Sequence, residues 1–201
     1  MISVISNKGV PHESLWPYDV SQFDVEPPSS VVTDAASYKS TASATISTDM
    51  GADTAVNDIK KALNTPLPVM FIFDVYPEYD AAGTNGGYIG VPQAGDSSRG
   101  GHANVIVGYN DALANTGGGT GAFIVRNSWG TSWGASGYGY MPYAWAVQNP
   151  SFSDETFIKG AYVVSAESGL APPPPTPSPS APPSVKLQAT IIVQEWQPKI
   201  T

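Results

Sequence analysis

The 201-residue sequence contains no cysteine. That excludes disulfides, thiolate metal ligands and a thiol nucleophile supplied by the chain itself, and it leaves the redox compartment open. Histidine is almost as scarce. His12 and His102 are the only two, too few for an ordinary structural zinc site, and no metal is expected; no cofactor is expected either. Charge is thin as well: 13% of residues are charged, about half the usual share. Nine Lys and Arg stand against seventeen Asp and Glu, a formal net charge of −8. The basic residues form no cluster, and such a surface repels phosphate backbones, so nucleic acid is not expected as a partner. Long apolar runs are also missing. Nothing approaches the ~18 residues of a membrane span, and Met1 to Gly9 lacks the apolar stretch of a signal peptide.

Glycine (20) and proline (19) are abundant. With so little charge, they favour a strand-rich, loop-rich domain over a helical bundle. The sequence divides into a globular region at 1–169, a proline-rich linker at 170–184 and a strand-like tail at 185–201. Proline fixes φ near the polyproline II value, so the linker is expected to be a semi-rigid arm. The tail is too short to fold alone, and it could add as a strand to a neighbour's sheet.

Within the globular region, 11–18 reads as a loop anchored by two prolines and two aromatics. Val56, Ile59 and Leu63 recur at helical spacing, with Asp53 as N-cap and Asn64 as stop, which predicts one main helix. Strands are expected at 68–76, 103–109, 122–128, 137–143 and 161–165. Loops are expected at 83–101 and 110–121. Asp74, Glu78, Asp80, Asp96 and Asp111 read as solvated loop residues, and the glycines at 117–119 lack the Lys-Ser/Thr of a phosphate loop. One helix followed by a series of strands is an α+β pattern, an antiparallel barrel or sheet with a helix against it.

Chemistry concentrates in two places. His102 opens the second strand behind Gly100-Gly101, where missing side chains let the backbone approach a ligand. A lone histidine is more often structural than catalytic, although its pKa suits it to be a general base. The third strand ends Arg126-Asn127-Ser128-Trp129-Gly130, with a second Trp-Gly at 133–134. Asn127 alone could be a turn residue, and the two tryptophans could be core. Taken together they suit a catalytic imidazole. An amide oxygen that accepts from one ring N–H fixes the tautomer and ring angle, and an indole over that bond keeps water out.

These segments, Gly-Gly-His-Ala-Asn-Val-Ile-Val-Gly-Tyr at 100–109 and Phe-Ile-Val-Arg-Asn-Ser-Trp-Gly at 123–130, resemble the papain-like cysteine peptidases. Residues 134–140, the Gly9-Val10-Pro11 and Leu15-Trp16-Pro17-Tyr18 stretches, and the helix and strand at 55–76 extend the likeness over roughly 8–165. The resemblance implies the His/Asn-bearing, C-terminal β-barrel half of that fold. It would make His102 the base and acid, Asn127 its orienting partner and Trp129 their shield, with Gly101 and Ala103 lining the substrate cleft. Arg126 receives no catalytic role.

The family's cysteine lies on the order of 130–150 residues before its His and Asn. The resemblance therefore leads us to expect that the nucleophile is missing with its whole segment, together with the oxyanion-hole Gln. A peptide or protein substrate is expected only if a Cys-bearing half complements the chain. The cleft face would otherwise expose apolar surface, so a protein partner covering it is also expected. The alternative is a non-catalytic papain-fold module, binding or structural, docked into a larger assembly through the proline-rich tail. Nothing in the spacing supports Ser128 or Ser132 as a replacement nucleophile.

Overall fold

The structure is a computed structural model that describes residues 2–46, 52–65, 67–146, 148–149 and 153–166. The proline-rich arm and the strand-like tail lie outside the described residues. Contacts divide the chain into two compact units. Among the described residues, one takes in those up to Ala44 and again 164–166, and the other those within Thr45–Val163.

The first unit holds two short helices, α1 (Ile2–Asn7) and α2 (Ser29–Ala35), and most of strand β1 (Ser40–Ile46). Gly9 lies so close to α2 that a Cβ there would fall 1.8 Å from the Ala35 carbonyl oxygen, at a φ of +89°. Only glycine fits that approach. His12 is tied to Asp34 by its backbone N–H (2.9 Å) and by Nδ1 (3.0 Å). Leu15, Phe23 and Val25 leave large apolar side chains exposed in this unit. The stretch 11–18 contains no helix or strand, as the loop expectation has it.

The second unit contains the main helix, α3 (Ala52–Asn64), and strand β2 (Val69–Asp74). Then come the single-turn helix α4 (Pro77–Ala81) and strands β3 (Gly101–Ala114), β4 (Thr120–Arg126) and β5 (Tyr138–Pro142). A two-stranded ladder, β6 (Gln148–Asn149) with β7 (Ser153–Thr156), precedes strand β8 (Ile158–Ala166). Strand order across the main sheet is β8-β2-β3-β4-β5, with every one of these pairs antiparallel. This α+β architecture is the one expected.

The predicted helix and strands form with shifted ends. The helix begins at Ala52, so Asp53 lies inside its first turn rather than at the cap. Ala55, Val56 and Ile59 turn inward from α3 and are buried, and the helix packs on β2 and β3. The core there gathers Phe71, Phe73, Tyr79, Ile106, Phe123, Met141 and Trp145.

Two loop expectations need correction. Residues 110–114 continue β3, with Ala114 opposite Thr120, so Asp111 sits on a strand. The true turn is five residues long, and the Asn115 carboxamide oxygen closes it by accepting from the Gly117 and Gly119 N–H groups. Asn and Asp are poor strand formers, but ladder pairing overrides that preference. Residues 77–81 form α4, which puts Glu78 and Asp80 on a helix. Pro77 occupies the first helical turn, where a missing N–H costs nothing. Among the described residues no helix is long and apolar enough to cross a membrane.

Candidate active site

The site is built where three neighbouring strands end. In the antiparallel register, β2 places Phe73 opposite His102 at the start of β3. Strand β4 ends at Arg126, so Asn127 emerges beside β3 one step later. The Asn127 N–H donates to the Gly137 carbonyl (2.9 Å), which holds the strand end against the start of β5. Between them the chain turns through Gly130 and Gly134. At Gly134, φ is +56° and a Cβ would fall 2.4 Å from the Tyr138 carbonyl oxygen, so this turn demands glycine.

His102 and Asn127 are both buried, at 8% and 4% exposure. His102 Nε2 lies 3.1 Å from Asn127 Oδ1. The same oxygen accepts the Ser128 backbone N–H at 2.8 Å. A backbone N–H can only donate, so the amide atom facing both groups is oxygen, and Nε2 must be the donor across the 3.1 Å contact. Neutral His102 is therefore held as the Nε2–H tautomer, with Nδ1 as its basic nitrogen. Trp129 stacks on the imidazole, with centroids 4.9 Å apart and planes at 26°. Phe73 (5.5 Å) and Tyr79 (6.0 Å) meet the ring edge-on. Tyr79 also stacks on Trp133 at 5.2 Å and meets Trp129 edge-on at 5.6 Å. The imidazole thus lies in an aromatic enclosure that lowers the local dielectric and strengthens its hydrogen bond.

The other expected positions are placed as follows. Gly101 is exposed and Ala103 is half-buried. A Cβ at Gly101 would meet nothing within 4 Å, so packing inside the chain does not require glycine there. At Gly100 the φ of +118° does favour it. Arg126 points outward and donates to the Tyr138 hydroxyl (2.8 Å), with its guanidinium 4.9 Å from that ring's centroid. It is occupied away from the imidazole.

The loop leading into His102 is pinned to the residue that follows β2 and to α4. The Arg99 N–H donates to the Val75 carbonyl and the Val75 N–H to the Gly100 carbonyl, both at 2.8 Å. The Arg99 side chain pairs with Asp80. Burial, then the neighbouring Asp96 carboxylate, holds the Glu78 carboxyl above its ordinary pKa. The sequence reading places all these carboxylates in solvated loops. It also passes over Tyr79 and Asn104, which back the site from inside. A polar residue at an inward position of an otherwise apolar strand, Asn104 in Ala-Asn-Val-Ile, is the available signal.

Residues 1–151 match the family model of papain family cysteine proteases. The chain belongs to that family. It is 35% identical over 163 residues to a peptidase C1-like protein of Acanthamoeba polyphaga mimivirus, an alignment covering 79% of this chain and 50% of the viral protein. Xylellain, a cysteine protease from Xylella fastidiosa, superposes with a TM-score of 0.64 at 27% identity, over 81% of this chain and 59% of xylellain. Procathepsin B of Trypanosoma congolense shares the fold at 19% identity and a TM-score of 0.54, over 83% of this chain and 51% of the other. The chain thus spans about half the length of the curated relative it matches. It carries no cysteine, so the nucleophile of a papain family protease is absent from it.

Proposed function

We propose that this chain supplies the base-bearing wall of a papain-type peptidase site and is inactive alone. His102 acts as general base and acid, Asn127 orients it, Trp129 shields the pair, and Gly101 and Ala103 border the substrate cleft. The observation that carries this is the buried 3.1 Å contact from His102 Nε2 to Asn127 Oδ1 beneath a stacked indole. With Nε2 committed to the amide, Nδ1 is the nitrogen that exchanges a proton with a nucleophile.

The chemistry then follows in order. A thiol from a Cys-bearing half gives its proton to Nδ1 and attacks the peptide carbonyl as thiolate. Nδ1–H delivers the proton to the leaving amine. A water, deprotonated by the same nitrogen, hydrolyses the thioester. The substrate is a peptide or protein, and neither metal nor cofactor takes part. The protein partner that covers the cleft face is the Cys-bearing half itself.

One observation favours a second reading: the complete lack of cysteine, which also suits a non-catalytic papain-fold module within a larger assembly, docked through the proline-rich arm. Isolation of the protein from its natural source separates the two. Iodoacetamide labelling and peptide mapping should find one reactive thiol, on the same polypeptide or on a tightly co-purifying chain, and that label should abolish peptide hydrolysis. Natural material with no such thiol and no hydrolysis would leave the module standing.

A further inference from the structure

We propose that Asn104, with Tyr79, is a positioning pair that fixes the alignment of His102 against Asn127; this rests on the roles given to those two residues above. Asn104 is 1% exposed, a carboxamide in a strand whose neighbours Val105 and Ile106 are apolar. Packing alone would be served better by a branched hydrocarbon, since a buried amide must satisfy its own hydrogen bonds.

Its contacts show where those bonds go. With the amide oxygen toward the Tyr79 hydroxyl, Nδ2 donates to the carbonyls of Arg126 (3.2 Å) and Ala103 (3.1 Å). The opposite orientation would set the amide oxygen against two carbonyl oxygens, so the first is the correct assignment. One side chain therefore grips the residue just after His102 and the residue just before Asn127.

The Arg126–Asn127 peptide plane is consequently held on both sides. Its carbonyl accepts from Asn104, and its N–H donates to the Gly137 carbonyl at 2.9 Å. With that plane fixed, so is the direction in which the Asn127 side chain leaves the backbone. Tyr79 supplies the third anchor. Its hydroxyl bonds to Asn104, while its ring meets His102, Trp129 and Trp133. The pair thus joins both strand ends to the aromatic wall. The hydrogen bonds of this pair run to each other and to the Arg126 and Ala103 carbonyls, so its hold on the site passes through His102 and Asn127.

The test reads the His102 ring itself. With only two histidines in the chain, ¹⁵N-histidine NMR of the full chain gives two sets of ring signals, and His12, held by Asp34 in the other unit, is an internal control. Wild type should show His102 overwhelmingly as the Nε2–H tautomer at high pH. Tyr79→Phe, which removes one oxygen and keeps the ring, and Asn104→Val should each lower the Nε2–H to Nδ1–H ratio by about fivefold or more, the reach of one lost buried hydrogen bond. Ile106→Val, a fully buried change on the same strand, should lower the melting temperature and leave the ratio alone. If Asn104→Val does not fold, Tyr79→Phe decides.

Wild-type ring shifts in a folded Tyr79→Phe protein would overturn the proposal and reduce the pair to core packing. Asn127→Ala separates the two levels. If it shifts His102 while Tyr79→Phe does not, only the positioning pair fails. If Asn127→Ala also leaves His102 unmoved, the His102–Asn127 assignment fails with it.

Discussion

Replacing Trp129 with Ala should separate shielding from stability. The indole is half-buried and lies flat on His102, 4.9 Å away. A fully buried Trp→Ala change costs ~3–5 kcal/mol, so the partial burial here predicts ~2 kcal/mol. For a domain of this size that is a fall of about 6 °C in melting temperature. The larger effect should be local. Opening one face of the ring lets water compete for the His102 Nε2 proton, and its exchange rate should rise by about fivefold or more. Trp133 provides the contrast. It is 7% exposed and stacks on Tyr79 rather than on the imidazole. Trp133→Phe keeps that stack, should cost comparable stability through the space it leaves, and should leave the His102 proton protected. Proton exchange by NMR, with thermal melts on the same samples, reads both quantities. If Trp129→Ala lowers the melting temperature without touching exchange, or if Trp133→Phe accelerates exchange equally, the shielding role is wrong.

Other consequences are independent of that one. Gly134→Ala forces a side chain against the Tyr138 carbonyl at a φ of +56°; it should destabilise by ~2–4 kcal/mol in a denaturant melt, and a neutral result would contradict the turn geometry. Lys60 Nζ sits 4.4 Å from the Tyr143 centroid and 2.5 Å from Asp111 Oδ1. Lys60→Met keeps the apolar stem but should cost ~1 kcal/mol, discounted because Asp111 is largely exposed. Glu78 gives a pH test. Its carboxyl stays protonated to a higher pH in the folded chain than the ordinary value of 4.5 would allow. Its contribution to stability is therefore full below that value and declines as pH rises through the folded pKa. Glu78→Gln cannot ionise and should flatten the decline; an unchanged pH slope would show that Glu78 is not the group responsible.

The fold is legible in the sequence where periodicity is strong. Val56, Ile59 and Leu63 mark α3, and the apolar runs around Phe71, Val105 and Phe123 mark three adjacent strands. Ends are less legible, because ladder pairing at 110–114 and Pro77 at a helix start act against local composition. The site is half legible. His102, Asn127 and Trp129 stand out as residue types with a chemical reason to meet, and the register of β2, β3 and β4 brings them together. Tyr79 and Asn104 do not stand out, since their importance lies in contacts across three elements, which linear spacing does not encode. Asn104 in particular reads as one polar letter in an apolar strand until the Arg126 and Ala103 carbonyls are seen beside it.

Peptide hydrolysis tests most directly the proposal that this chain forms the histidine-bearing wall of a two-part site. The rate is measured with the chain joined to its natural Cys-bearing half, in wild type and in the His102→Ala variant. Hydrolysis that appears only with the thiol half and is lost with His102→Ala is the predicted result. A rate that survives His102→Ala, or a natural complex with an intact thiol half and no hydrolysis, would contradict it.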